Sequence, residues 1–135
     1  KDKKIILIDD SLVRGTTSHK IVKMLYDAGA EEVHVRIACP EIKFPDFYGI
    51  DMPSKKELLA ANKNLNEMKN YIQSDSLKFL SIDGLYRGIC GSKRNNVYPQ
   101  FSDHYFTGDY PIKALDKLGN EKITQLSLLS NKSSS

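Results

Sequence analysis

The 135-residue sequence has no tryptophan and only two cysteines, Cys39 and Cys90. A small secreted domain stapled by disulfides carries several paired cysteines, so that class is excluded and a reducing, cytoplasmic setting is expected. Histidine is equally sparse. His19, His34 and His104 fall at no metal-ligand spacing and read as surface or helix residues. No apolar run nears the roughly 20 residues that a membrane-spanning helix needs. Lys1 to Lys4 leads into only four apolar residues, which is not the pattern of a signal peptide. A dominant charge sign is missing too. The chain has 20 Lys and Arg against 17 Asp and Glu, a net charge of +3, and the basic residues are scattered. Neither nucleic acid nor a membrane is indicated as a partner.

What is present is enough for one folded domain: 40% apolar residues for a core and 27% charged residues for a solvated surface. Ile5 to Ile8 is a continuous apolar run, the pattern of an interior parallel strand buried on both faces. Such a strand needs neighbours on both sides, and few candidates follow it, so part of the sheet is expected to lie upstream of Lys1. After a polar loop, Ile21, Val22, Met24, Leu25 and Ala28 fall at helical spacing, and Gly29 ends that helix. Val33, Val35 and Ile37 alternate with polar neighbours as a second strand. Strand, loop, helix and strand make a parallel crossover unit.

Cys39 to Pro53 reads as a structured loop, and Ser54 to Glu57 as a capping box opening a helix through Ala61. Asn64 to Glu67 starts another helix, with Met68, Tyr71 and Ile72 on its apolar face. Leu77 to Leu80 is a short strand, and Ser81 caps a helix through Ile89. Leu126 to Leu129 is a short apolar stretch. The chain divides into a main part, 1–111, and a C-terminal extension, 112–135, whose last serines are expected to be disordered.

The segment after Ile8 is where chemistry concentrates. Asp9 and Asp10 sit at the C-terminal end of a parallel strand, the edge at which open α/β sheets bind ligands. Arg14 and Gly15 follow Ser11, and a helix begins near Thr17. Amides in such a loop point at a phosphate, the helix start adds partial positive charge, and Gly15 allows the tight turn. Thr16, Thr17 and Ser18 add hydroxyl donors. The two carboxylates suit sugar hydroxyls or a Mg²⁺ ion. On acids and hydroxyls alone, a strand-ending turn with an ordinary helix N-cap remains open beside the phosphate cradle.

The full string Ile5-Ile6-Leu7-Ile8-Asp9-Asp10-Ser11-Leu12-Val13-Arg14-Gly15-Thr16-Thr17-Ser18 resembles the 5-phosphoribosyl-pyrophosphate (PRPP) signature of type I phosphoribosyltransferases. Val35 to Pro53, Glu57 to Ala61, Asp75 to Leu77 and Phe106 to Pro111 further resemble glutamine PRPP amidotransferases, in that family's order. The segment Val35 to Pro53 argues against a transferase acting on a nucleobase. The resemblance implies an α/β fold, the C-terminal part of a type I phosphoribosyltransferase parallel sheet with flanking helices. It also implies glutamine-dependent amino transfer to PRPP, giving 5-phosphoribosylamine and pyrophosphate, the first committed step of purine synthesis.

On that resemblance Asp9, Asp10, Ser11, Arg14, Gly15, Thr16, Thr17 and Ser18 bind PRPP, and Asp9 and Asp10 face the substrate-borne Mg²⁺. Tyr48, Gly49, Asp51 and Pro53 form either a turn packed on the sheet or a contact for inhibitory purine nucleotides. Phe44, Phe47, Tyr48 and Phe101 read as core or interface anchors. Glutamine-derived ammonia is the implied co-substrate and a homo-oligomer the implied state of the full-length protein. The family's glutaminase domain and pyrophosphate loops have no counterpart in this sequence, so the isolated chain is expected to be inactive. Asp46, Ser102 and Tyr105 stand where some members place iron–sulfur cysteines, so no cluster is expected. The alternative reading is a non-catalytic module that senses PRPP or nucleotides.

Overall fold

A computed structural model describes residues 1–49 and 53–111. Asp51, the apolar stretch Leu126 to Leu129 and the extension 112–135 lie outside the described residues. The elements run β1 (Lys4–Asp9), α1 (Thr16–Asp27), β2 (Glu32–Ile37), α2 (Leu59–Asn62), α3 (Leu65–Ile72), β3 (Ser76–Phe79), α4 (Ile82–Cys90) and α5 (His104–Thr107). The three strands form one parallel sheet in the order β1-β2-β3, with Leu7 opposite Val35 and Val35 opposite Leu77.

Each crossover carries helices, as parallel pairing requires. Helix α1 packs on β2 and on α3, and α3 packs on β3. One core results, from Leu12, Val22, Val33, Val35, Ile37, Leu59, Ala60, Met68, Ile72 and Leu77. The end of α1 follows from its glycine. Gly29, at φ 95°, donates to the Tyr26 carbonyl at 2.8 Å while Ala30 donates to Leu25 at 3.0 Å, a Schellman closure. Helix α3 opens on a reciprocal capping box: Glu67 N–H donates to Asn64 Oδ1 at 3.0 Å, and Asn64 N–H to Glu67 Oε2 at 2.8 Å. Ser81 Oγ accepts from Gly84 N–H at 3.0 Å at the start of α4.

Three sequence expectations are corrected. Strand β1 is not buried on both faces: Ile6 and Ile8 are 66% and 72% exposed. Helices α1 and α3 both pack on the sheet face that carries Val33 and Val35, and within the described residues β1 pairs only with β2. The residues Ser54 to Glu57 form a turn, and the helix begins only at Leu59. The Glu57 carboxylate accepts from Ser54 as a capping box would, and from Arg14 as well, but the chain makes only a turn there. Tyr71 is 41% exposed, so the buried face of α3 is Met68 and Ile72.

Candidate functional site

Asp9 ends β1, and its partner Ile37 ends β2, so residues 10–18 leave the sheet at its carboxyl edge. The first turn is fixed by the acids themselves. Asp10 N–H donates to Asp9 Oδ1 at 3.0 Å, and Ser11 Oγ donates to Asp10 Oδ1 at 3.0 Å. The Oδ2 atom of each carboxylate takes no hydrogen bond. Leu12 then drops into the core, 1% exposed, and anchors the loop from beneath. Cys39 lies against the same turn. Burial first, then the Asp10 charge, pushes its thiol above the usual range, so it stays protonated and inert.

The backbone turns into α1 at Gly15, the N-cap residue, at φ 78° in the left-handed region. No side chain caps the helix, although Thr16, Thr17 and Ser18 are at hand. The amides of Arg14, Gly15, Thr16, Thr17 and Ser18 have no acceptor, and neither do the three hydroxyls. The first-turn amides of any helix lack intrahelical partners. Here they are uncapped at the positive end of a 12-residue helix, where Arg14, Thr16 and Thr17 are exposed and Gly15 and Ser18 are buried. Chemically, a run of amides without acceptors at a helix start can take an anion, and two carboxylates precede it in the chain.

The loop is held from outside by the segment Ser54 to Leu59, read in the sequence only as a helix start. Arg14 Nε and Nη2 both donate to Glu57 Oε1, at 3.2 and 3.1 Å. Glu57 Oε2 accepts from Ser54 N–H and Oγ, each at 3.1 Å. The Arg14 hydrogen bond, and then those from Ser54, hold the Glu57 carboxyl below its usual range. Leu59 N–H donates to the Val13 carbonyl at 2.8 Å. Gly15 is covered by Leu59 and Tyr71: a Cβ there would come within 2.7 Å of Leu59 Cδ2. A glutamate three residues after a serine reads as a helix cap, and nothing local signals a partner 43 positions away.

Of the second predicted group, Tyr48, Gly49 and Pro53 are among the described residues. Tyr48 is 44% exposed with its ring edge-on to His104 at 5.1 Å, Gly49 has φ 108°, and Pro53 is half-buried. Their link to the loop runs through Ser54 and Glu57. His104, expected at the surface or on a helix, is on α5 but 2% exposed. Its Nε2 lies 2.8 Å from Asp46 Oδ1 and its Nδ1 3.0 Å from Ser102 Oγ. Tyr105 also bonds Asp46, though burial is the main reason its hydroxyl is raised above its usual range. Thus Asp46, Ser102 and Tyr105 gather around one histidine. Its sequence neighbour Asp103 faces the other way, accepting two bonds from Arg94 at 2.5 and 3.1 Å and one from Tyr86 at 2.8 Å.

Among the described residues no three His, Cys, Asp or Glu side chains gather into a metal site. Two carboxylates with open oxygens suit a cation that arrives with its own phosphate ligands and waters, as Mg²⁺ does. A cavity of about 460 Å³ beyond β3 is lined by Pro40, Lys43, Leu65, Phe79 and Phe106, among others, and shares no residue with the loop. Among the described residues no helix is long and apolar enough to cross a membrane.

Parallel sheet and crossover helices make this an α/β module with an acidic loop at the sheet's carboxyl edge. The chain is 43% identical to a solved glutamine PRPP amidotransferase from B. subtilis complexed with ADP and GMP, with a TM-score of 0.75 over 84% of this chain and 25% of that one. A solved allosteric regulatory enzyme of purine biosynthesis matches with a TM-score of 0.67 and 41% identity over 82% and 23% of the two chains. The sequence is also 56% identical to the amidophosphoribosyltransferase of Rhizobium etli over 96% of this chain and 26% of that protein. That of Staphylococcus aureus is 52% identical over 89% and 24%. No protein-family model matches. The chain is homologous to these amidophosphoribosyltransferases and spans about a quarter of their length.

Proposed function

We propose that this chain supplies the PRPP-binding loop of an amidophosphoribosyltransferase. The protein that contains it would transfer glutamine-derived ammonia to PRPP, releasing pyrophosphate and forming 5-phosphoribosylamine for purine synthesis in the cytoplasm. The observation that carries this is the open start of α1: five consecutive amides without acceptors, from Arg14 to Ser18, next to two carboxylates that each keep an oxygen free. A structural turn would close those donors on protein acceptors. Here they wait for a 5-phosphate, while Asp9 and Asp10 take the ribose hydroxyls and the Mg²⁺ that accompanies pyrophosphate. Mg²⁺ would neutralise the leaving group. The chain's own contribution is to position the sugar and to stabilise charge that develops on it.

The rest of the reading follows the same logic. The loop at Tyr48, Gly49, Asp51 and Pro53 would contact inhibitory purine nucleotides, and the full-length protein would be a homo-oligomer. We propose that no iron–sulfur cluster is bound: Asp46 and Ser102 carry oxygen donors already engaged with His104. Iron and acid-labile sulfide in stoichiometric amount, after anaerobic purification, would rule that out. The alternative is a PRPP or nucleotide sensor without turnover.

The deciding experiment is ammonia-dependent phosphoribosylamine synthesis by the full-length protein, with Asp9→Asn and Asp10→Asn. Each substitution removes a charge-assisted acceptor worth about 1.5–3 kcal/mol. Synthesis is expected to fall at least about tenfold, since 1.4 kcal/mol is one decade. Wild-type rates in both variants would remove the proposed roles. PRPP binding without synthesis would favour the sensor.

A further inference from the structure

Arg14 is the only cationic side chain in the segment 9–18, and a phosphate ligand is the obvious role for it. Its guanidinium is engaged elsewhere. Both Nε and Nη2 reach one oxygen of Glu57, and the other oxygen of Glu57 is fixed by two bonds from Ser54. We propose that Arg14 and Glu57 form a strut that shapes the PRPP loop from outside, so that Glu57 is a positioning residue for the reaction and the Arg14 side chain is not a phosphate ligand. This rests on the reading of the loop as the PRPP site.

The strut does not act alone, and its neighbours explain its purpose. The next contact along the same segment is the Leu59 N–H on the Val13 carbonyl at 2.8 Å, one residue before Arg14. The contact after that is Leu59 and Tyr71 over Gly15, one residue beyond it. Three successive loop residues, Val13, Arg14 and Gly15, are therefore gripped by Glu57, Leu59 and Tyr71. The gripping segment is stiff in its own right: Asn62 Nδ2 donates to the carbonyls of Lys55 at 2.9 Å, Lys56 at 3.2 Å and Leu58 at 2.7 Å. Gly15 must hold a left-handed φ for the amides that follow it to converge. Tying Gly15 and the two residues before it to a rigid support is how a short polar loop keeps such a turn without a ligand. The two side chains of the strut are 54% and 48% exposed, so the pair is modest in strength and works through geometry.

A double-mutant cycle on the full-length protein tests this, with Arg14→Ala, Glu57→Gln and the pair combined. KM for PRPP and kcat are measured with ammonia, and inorganic phosphate is titrated while the Gly15 amide is followed by NMR. A strut predicts that each single variant raises KM by about three- to fivefold, with the loss in KM exceeding any loss in kcat. The double variant is then no worse than the poorer single one, because both remove one interaction. The charge swap Arg14→Glu with Glu57→Arg recovers part of the affinity. Weaker phosphate binding at Gly15 follows the same order. The proposal is overturned if Arg14→Ala alone is far more damaging, Glu57→Gln is neutral or tightens binding, and the two effects add. That pattern assigns the guanidinium to the phosphate. Absence of turnover in the wild type, with phosphate still bound at Gly15, defeats the function proposed above and leaves the strut to be decided by the titration. If wild type binds no phosphate there, both fall.

Discussion

Two polar regions of the molecule treat their hydrogen bonds in opposite ways. Around Asp103 and His104 everything is closed. Asp103 accepts from Arg94, Tyr86 and Thr107, Arg94 also reaches Asp109 at 2.8 Å, and His104 lies between Asp46 and Ser102. In the loop that leads into α1, by contrast, the backbone amides from Arg14 to Ser18 are left open. Buried polar groups are costly unless satisfied, so the closed region is what a protein builds to hold irregular chain in place. It joins the loop residues 46 and 94 to Tyr86 on α4 and to the short helix α5 with its flanking residues 103 and 109. Open donors gathered at one helix start have no such structural use. They are tolerable because Arg14, Thr16 and Thr17 are exposed at that end of the helix, and they are useful only to something that arrives there.

The largest expected effect comes from breaking the closed region. Asp103 and Arg94 side chains are only 4% and 10% exposed. Asp103→Ala strands the guanidinium and the Tyr86 hydroxyl, and loss of one partner of a buried pair costs about 3–5 kcal/mol. Urea unfolding is the measurement, and a loss below about 1 kcal/mol would mean that the region is solvated and the contrast false. The pH dependence has a defined sign. Burial pushes the Asp103 carboxyl up, but the bonds from Arg94, Tyr86 and Thr107 outweigh it and hold it below the ordinary 3.8. A depressed carboxylate contributes stability above its unfolded pKa and loses it as the pH falls through the folded one. Wild type is therefore expected to lose stability below pH 3.8, and Asp103→Ala to lose less of it there.

Next in size is Gly15→Ala. A left-handed φ costs a residue with a Cβ about 1–2 kcal/mol, and the new carbon would meet Leu59 Cδ2 at 2.7 Å. The loop is expected to shift and phosphate binding to be lost. Unchanged phosphate affinity in a folded variant would show that the turn at Gly15 does not shape the donor set.

How far these regions were legible in the sequence follows from the range of the interactions. The crossover unit and the acidic loop are local patterns: four apolar residues, two acids, then hydroxyls at a helix start. Asn64 and Ser81 announced their helices because a cap and its amide lie three residues apart. The closed region left no local pattern, and only the family resemblance grouped Asp46, Ser102 and Tyr105. Asp46 meets His104 across 58 positions, and a histidine with no metal spacing gives no hint that it will be buried. Glu57 misled for the same reason, since its local pattern fits a cap and its partner Arg14 is distant. Ile6 and Ile8 read as buried because a parallel strand normally is; both crossover helices lie on the other face.

The smallest expected effect is the sharpest test of open against closed donors, because it compares two helix starts in one protein. Asn64 caps α3 through its side chain, and Asn64→Ala is expected to cost about 1 kcal/mol in urea unfolding. Thr17 has the right chemistry to do the same for α1, yet its hydroxyl meets no backbone amide. Thr17→Ala is therefore expected to change stability by less than about 0.5 kcal/mol, the range of a surface substitution away from any cap. Its effect should appear instead as weaker phosphate binding, by calorimetric titration, because a hydroxyl donor to a charged oxygen has been removed. If Thr17→Ala costs as much stability as Asn64→Ala and leaves phosphate binding untouched, then the threonine closes α1 in solution. The start of that helix would then be an ordinary cap, and the distinction between the two regions would lose its physical basis.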